Sequence, residues 1–409
     1  MSLFEVIAVL ISLAALFSYI NERLVKLPTA ISLMLIALLM SFGLMLLDHW
    51  GWAIADQARV LLDQIDFNKT LLHGMLGFLL FAGALHVNLN DLASQKWVIT
   101  LLATIGVLIS TALIGFISWW LLGQLSINLP LVYCLLFGAL ISPTDPIAVL
   151  GILKTTGVSR SLETKIAGES LFNDGVGVVV FLLLYGIAVE GETASVAGVT
   201  LLVLQEAGGG LLFGLLLGGL AYLMLKSVDN YNVEILVTLA LVTGGYALAE
   251  LIHVSAPIAI VVAGLLTGNQ GRMLAMSERT REHLDTFWEL VDEVLNAVLF
   301  VLIGLEVLLL SFSMQYLLAA IFLIPIVLLA RYVSVSIPVN LLRFHREFSP
   351  NVVKIMTWGG LRGGISVALA LSIPAGSERD MILMATYVVV IFSIMVQGLS
   401  MARLVRKLQ

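Results

Sequence analysis

Apolar runs of about twenty residues recur along the whole chain, separated by short polar breaks that hold most of its Lys and Arg. A run of that length spans the ~30 Å hydrocarbon core of a bilayer as one helix. A soluble helix or strand would instead show an apolar stripe of period 3.6 or 2. The runs predict thirteen spans, at 3–20, 29–47, 70–87, 97–122, 131–153, 166–188, 198–225, 233–251, 256–268, 286–310, 315–341, 352–373 and 381–402. The ninth is short, bounded by Pro257 and Gly268, and is open to being broken or re-entrant. The tenth begins among Asp285, Glu289, Asp292 and Glu293, which places its first turns at the interface.

Basic residues orient the spans, because short cytoplasmic loops retain positive charge. Alternate loops hold sixteen of the 21 Lys and Arg, among them Arg23, Lys26, Arg160, Lys165, Arg272, Arg346 and Arg403. The opposite set holds only Arg59, Lys69 and Arg379. The bias predicts an outside N-terminus and a cytoplasmic C-terminus. An odd count also permits an inverted repeat, with six spans in 1–190, a linker span in 191–230 and six more in 231–409.

Composition adds exclusions. The chain is 60% hydrophobic and 12% charged, against roughly a quarter charged for soluble domains. The fold class is therefore an all-α polytopic membrane protein, in contact with lipid. The N-terminus lacks the basic flank and cleavage site of a removable signal peptide, so the first span is read as retained. Cys134 is the single cysteine, which excludes an intramolecular disulfide and suggests packing. No nucleotide-binding loop, basic run or zinc-type cluster is present, so nucleic acid, ATP and resident cofactors are not expected.

Charged and helix-breaking residues inside the spans carry the chemistry. The fifth span contains Ser142-Pro143-Thr144-Asp145-Pro146 and the twelfth Gly359-Gly360-Leu361-Arg362-Gly363-Gly364. Each cluster predicts a broken helix near mid-depth, and paired breaks in corresponding segments point to a substrate site. Thr144 and Asp145 offer oxygen ligands there, with helix capping by Asp145 the compatible structural reading. In the sixth span, Ser170, Asn173, Asp174 and Gly177 share one helix face. Such hard oxygen donors suit a small alkali cation. Asp174 lies deep in its span, where a carboxylate is costly and is read as functional. Glu169 is read as half of a structural ion pair with an intramembrane arginine. Arg331, mid-span, is the favoured partner, with Arg362 left as the alternative. Arg362, among glycines, is expected to face the opposing break and balance charge or dipoles.

These three clusters, with Gly168-Glu169-Ser170-Leu171-Phe172-Asn173-Asp174-Gly175 at their centre, resemble the NhaP/NHE-type sodium/proton antiporters of the first monovalent cation:proton antiporter family. The resemblance covers nearly the whole chain. It implies a homodimer in a prokaryotic inner membrane, with a core domain moving against a dimerisation domain. It also implies that Asp174 carries sodium or a proton and that Thr144, Asp145 and Ser170 help form the site. Asn173 would support them, Na+ would lie at Asp174, Thr144 and Ser170, and Glu169 would be a structural ion-pair member. One departure stands out: Phe81-Ala82-Gly83 occupies the place where many prokaryotic relatives carry a third-span acid.

A buried carboxylate is neutralised either by a proton or by a cation, so the two compete for Asp174. If the core crosses only when loaded, exchange is coupled. Asn173 is uncharged, which favours one-for-one, electroneutral exchange of Na+ or Li+ for H+. Potassium exchange is the nearest rival; a channel fits less well because the site lies within one asymmetric chain, and an aspartyl hydrolase because an Asn-Asp pair beside a Thr-Asp-Pro break suits ion binding better. Other features have plain structural readings. Gly208–Gly210, Gly214 and Gly218 suit close helix packing, and Trp50, Trp52, Trp97, Trp119 and Trp120 suit interfacial anchoring. His73, His86 and His253, like Glu234, Glu250 and Glu306, lie near span ends and are expected to reach the interface or water.

Overall fold

The computed structural model describes residues 3–50, 67, 70–145, 149–151, 153, 158–191, 195–310, 312–344, 346 and 348–408. No strand occurs among them. Helix overlaps each of the thirteen predicted segments, as expected where lipid offers the backbone no other partner. Among the described residues, eight helices are long and apolar enough to cross a membrane: Phe4–Val25, Thr29–Asp48, Lys96–Gln124, Arg160–Ala188, Ala197–Ser227, Tyr231–Leu251, Met314–Leu342 and Ser377–Leu408. The rest of the framework is Thr70–Leu85, Leu131–Ile141, Ala256–Leu266, Glu278–Glu306 and the two pieces Val352–Trp358 and Gly364–Leu371.

The ninth segment is not broken. Ala256–Leu266 runs on through a wider turn at Thr267–Gly271 into Arg272–Leu274. Pro257 sits in the first turn, where no amide donor is needed, and Ser255 Oγ accepts from the Ile258 amide at 3.5 Å. Gly268 serves close packing, since a Cβ there would lie 2.2 Å from the Leu85 carbonyl of the third helix. The glycine stripe of the seventh helix packs as expected: added Cβ atoms at Gly210 and Gly214 would strike the Ser255 and Ala259 carbonyls at 2.8 and 2.5 Å.

The fifth and twelfth segments are broken. Leu131–Ile141 ends before Ser142 and Pro143, and Ser142 Oγ donates to the Gly138 carbonyl at 2.6 Å, satisfying one freed acceptor. Pro146 lies outside the described residues. In the twelfth segment Val352–Trp358 stops and Gly364–Leu371 resumes. By contrast, Met314–Leu342 passes unbroken through Pro325 and Pro338.

Surface and interior sort largely as expected. Trp50, Trp97, Trp119 and Trp120 are exposed, Trp52 lies outside the described residues, and Cys134 is buried in the core. His86 and His253 are exposed, whereas the side chain of His73 lies outside what is described. Glu250 is exposed, but Glu234 and Glu306 are buried, contrary to expectation. Glu234 is drawn inward because its Oε1 accepts from the Asn230 amide at 3.2 Å and Thr280 Oγ1 at 3.3 Å.

Candidate functional site: two facing helix breaks around Asp174

The two breaks meet. The Asp145 amide donates to the Leu361 carbonyl at 2.9 Å, a backbone bond from one interrupted helix to the other. A Cβ on Gly363 would lie 2.6 Å from Asp145 Oδ2, so only glycine lets the carboxylate rest against the twelfth segment. The sixth helix closes the third side. Gly177 receives Pro143, whose Cγ would stand 2.3 Å from an added Cβ.

Thr144 is held by the sixth helix at three points. Its amide donates to Asn173 Oδ1 at 3.3 Å, its Oγ1 accepts from Asn173 Nδ2 at 2.9 Å, and Oγ1 meets Ser170 Oγ at 3.0 Å. All three residues are buried. Asn173 thus spends both ends of its amide on Thr144 and acts as a strut within this arrangement.

Asp174 differs. It lies midway along Arg160–Ala188, fourteen residues or ~21 Å from either end, and is only 6% exposed. No described group shares a hydrogen bond or ion pair with its carboxylate, which instead feels the like charge of Asp145. The four groups Thr144, Asp145, Ser170 and Asp174 therefore bring two carboxylates and two hydroxyls to one place. A small cation would be held by such oxygens, and a proton would neutralise either carboxylate.

One helix turn away, Glu169 is fully buried and pairs with Arg331 through both oxygens, the second at 2.9 Å from Nη2. Arg331 Nη2 also donates to the Met356 carbonyl at 3.3 Å, so the pair ties the sixth and eleventh helices to the twelfth segment. Of the two arginines left open by the sequence, Arg331 is the partner. Arg362 makes its contacts within its own neighbourhood: Nη1 donates to the Gly360 carbonyl and its amide to Ser393 Oγ, both at 3.0 Å. It caps the carbonyl end of its own half-helix, which differs from the expected role of facing across to the fifth segment.

One residue, Asn296, escaped the sequence reading, and another, Asp292, was placed only at the interfacial start of its span. Asp292, half-buried on the tenth helix, lies within electrostatic reach of Asp145 and His86. Asn296, one turn on, is buried with neither side-chain polar atom in hydrogen-bond geometry. Leu299 continues that face onto Gly364, where a Cβ would lie 2.6 Å from it. A polar residue inside the apolar run that follows Asp292 was the available signal. The acidic group at that helix start divides: Glu289 and Glu293 are exposed, Asp285 pairs with Arg272, and Asp292 turns inward.

Known proteins share this architecture. MjNhaP1, a sodium proton antiporter of Methanocaldococcus jannaschii, matches in fold with a TM-score of 0.74, covering 100% of this chain and 99% of that one at 21% identity. The Na(+)/H(+) antiporter NhaP of Pseudomonas aeruginosa is 50% identical over 409 residues, 99% of this chain and 96% of that protein. The Na(+)/H(+) antiporter NhaH of Halobacillus aidingensis is 36% identical over 395 residues, 94% and 93% of the two lengths. The family model of the transmembrane sodium/hydrogen exchangers matches residues 9–407. The chain belongs to the sodium/hydrogen exchanger family.

Proposed function

We propose that the protein exchanges Na+ or Li+ for H+ across a prokaryotic inner membrane, one for one, with Asp174 as the group both ions occupy in turn. The observation that carries this reading is the buried Asp174 carboxylate, without a partner among the described residues and set beside Asp145 where two broken helices meet. Thr144 and Ser170 complete the cation's oxygen shell, Asn173 holds Thr144, and Glu169 with Arg331 braces the sixth helix. When the proton concentration is high, protonation of Asp174 removes the charge that holds the cation. Deprotonation on the other side restores the site.

Alternating access follows if only the neutralised site crosses. The thirteen-crossing topology, the inverted six-helix repeats and the homodimer belong to the same reading. The matching breaks in the fifth and twelfth segments support the repeat. Ion pairs and hydrogen bonds join loops assigned to one side, as in Arg160 with Asp91 at 2.7 Å and Arg346 with the Ser94 carbonyl. The opposite side is joined likewise by Gln315 Nε2 donating to the Leu125 carbonyl at 3.1 Å. Both sets support the alternation of loops between two sides, and the Lys and Arg bias assigns the N-terminus to the outside and the C-terminus to the cytoplasm.

The test is a proteoliposome loaded with a pH-sensitive dye and challenged in turn with sodium, lithium and potassium. Proton movement driven by sodium and lithium, and lost in Asp174→Ala, is the expected outcome. Retained exchange in that variant would sink the assignment, and a response to potassium alone would reassign the cargo.

A further inference from the structure

A small cavity of about 10 Å³ lies between the eleventh helix, the broken twelfth segment and the thirteenth helix, with Arg331, Arg362 and Thr357 in its wall. That is room for one water-sized or monatomic guest. Three buried atoms of those residues lack any hydrogen-bond partner: Arg331 Nε, Arg362 Nε and Thr357 Oγ1. Arg331 spends its other two nitrogens on Glu169 and Met356, and Arg362 spends Nη1 on the Gly360 carbonyl. Much of the rest of the wall is apolar, including Val327, Val389 and Phe392, and Gln397 is its one further polar side chain, with Nε2 donating to the Trp358 carbonyl at 3.0 Å. Gly360 keeps the place open, since a Cβ there would lie 2.6 Å from Arg331 Nε.

Charge points the same way. Two guanidiniums stand here with one carboxylate, and among the described residues no acid lies within ion-pair distance of Arg362. A buried cation without a counter-charge is costly, and orphaned donors add their own penalty. We propose that this cavity is a monovalent-anion site that takes one chloride ion. A chloride accepts from both Nε–H groups and the Thr357 hydroxyl at once. A water could accept from the two arginines and donate to Thr357 Oγ1 or the Gln397 side-chain oxygen, but it brings no charge to offset the second guanidinium. Sulfate, phosphate and gluconate are too large for the space. The bound ion would lock together the two arginines that hold the Met356 and Gly360 carbonyls, and so stiffen the half-helix leading to the break opposite Asp145.

The test uses the purified full-length protein and does not depend on the transport reading. Thermal unfolding is compared in chloride, bromide and gluconate at equal sodium and ionic strength, and the bromide form is examined by anomalous diffraction. Halides should raise the unfolding midpoint by a few degrees over gluconate, with bromide density between the two Nε atoms. Thr357→Val removes one neutral donor and should weaken the halide midpoint about two- to tenfold while the protein still folds. Water density in the cavity, or unfolding indifferent to halide, overturns the proposal. Halide stabilisation that Thr357→Val leaves unchanged, with bromide density elsewhere, overturns the site.

Discussion

Asn173 and Asp174 are neighbours in sequence with opposite fates. Successive residues on a helix point about 100° apart, so one side chain turns to Thr144 and the other has no partner among the described residues. Asn173→Ala should therefore act on stability as well as transport. It strands the buried Thr144 amide, at a cost of about 1–3 kcal/mol in unfolding free energy, and it loosens a proposed cation ligand. Ser170→Ala removes one hydroxyl whose partner Thr144 keeps its other bonds, so cation affinity should fall with a smaller change in stability. Thermal unfolding alongside sodium titration of exchange separates the two, and equal stability losses would contradict the strut role. Asp174→Asn should fold at least as well as the parent, because it removes a buried charge that no described group compensates, yet abolish exchange. The carboxylates of the site were legible in the sequence because charge inside an apolar run is conspicuous. The supporting role of Asn173 followed only from the family resemblance, and its partner was not legible, since a hydrogen bond to a residue 29 positions away leaves no local trace.

Between helices, the site depends on close approach. Leu131–Ile141 ends at Pro143, while Met314–Leu342 absorbs two prolines without breaking. Proline alone therefore does not make the break. The fifth segment opens where the Leu361 carbonyl accepts the Asp145 amide and Gly177 makes room for Pro143. This is why the sequence located both breaks, through clustered Pro and Gly, but left the ninth segment open, whose Pro257 starts a helix and whose Gly268 packs one. Gly363→Ala should push Asp145 aside, lowering exchange at least about tenfold, the factor that 1.4 kcal/mol of misplacement carries, with the helical fold retained by circular dichroism. The Glu169–Arg331 pair is tested by its asymmetry. Glu169→Gln strands the arginine and should cost about 3–5 kcal/mol. Glu169→Leu combined with Arg331→Met should recover most of that loss, by thermal unfolding. A double variant as unstable as the single one would show that Arg331 matters chiefly through the Met356 carbonyl.

For the molecule as a whole, the question is what a full cycle carries across the membrane. The site holds two carboxylates, Asp145 and Asp174, but they are not equivalent. Asp145 is fixed by its own amide to the twelfth segment and lies against Gly363, while Asp174 has no described partner to give up when an ion arrives. Asn173 adds no charge beside it. If Asp174 alone changes occupant, each full cycle moves one positive charge inward and one outward, and the net current is zero. A clamped membrane potential of 100 mV would change the driving force of an exchanger moving one net charge by about 2.3 kcal/mol, nearly fiftyfold in the equilibrium ion ratio. The expected outcome is that sodium-driven proton movement in potential-clamped proteoliposomes is the same at zero and at 100 mV of either sign. A shift of that size would mean that a second group, with Asp145 the nearest acid, titrates in the same cycle. The variant Asp145→Asn would then abolish the voltage response while Asp174 continued to bind the cation.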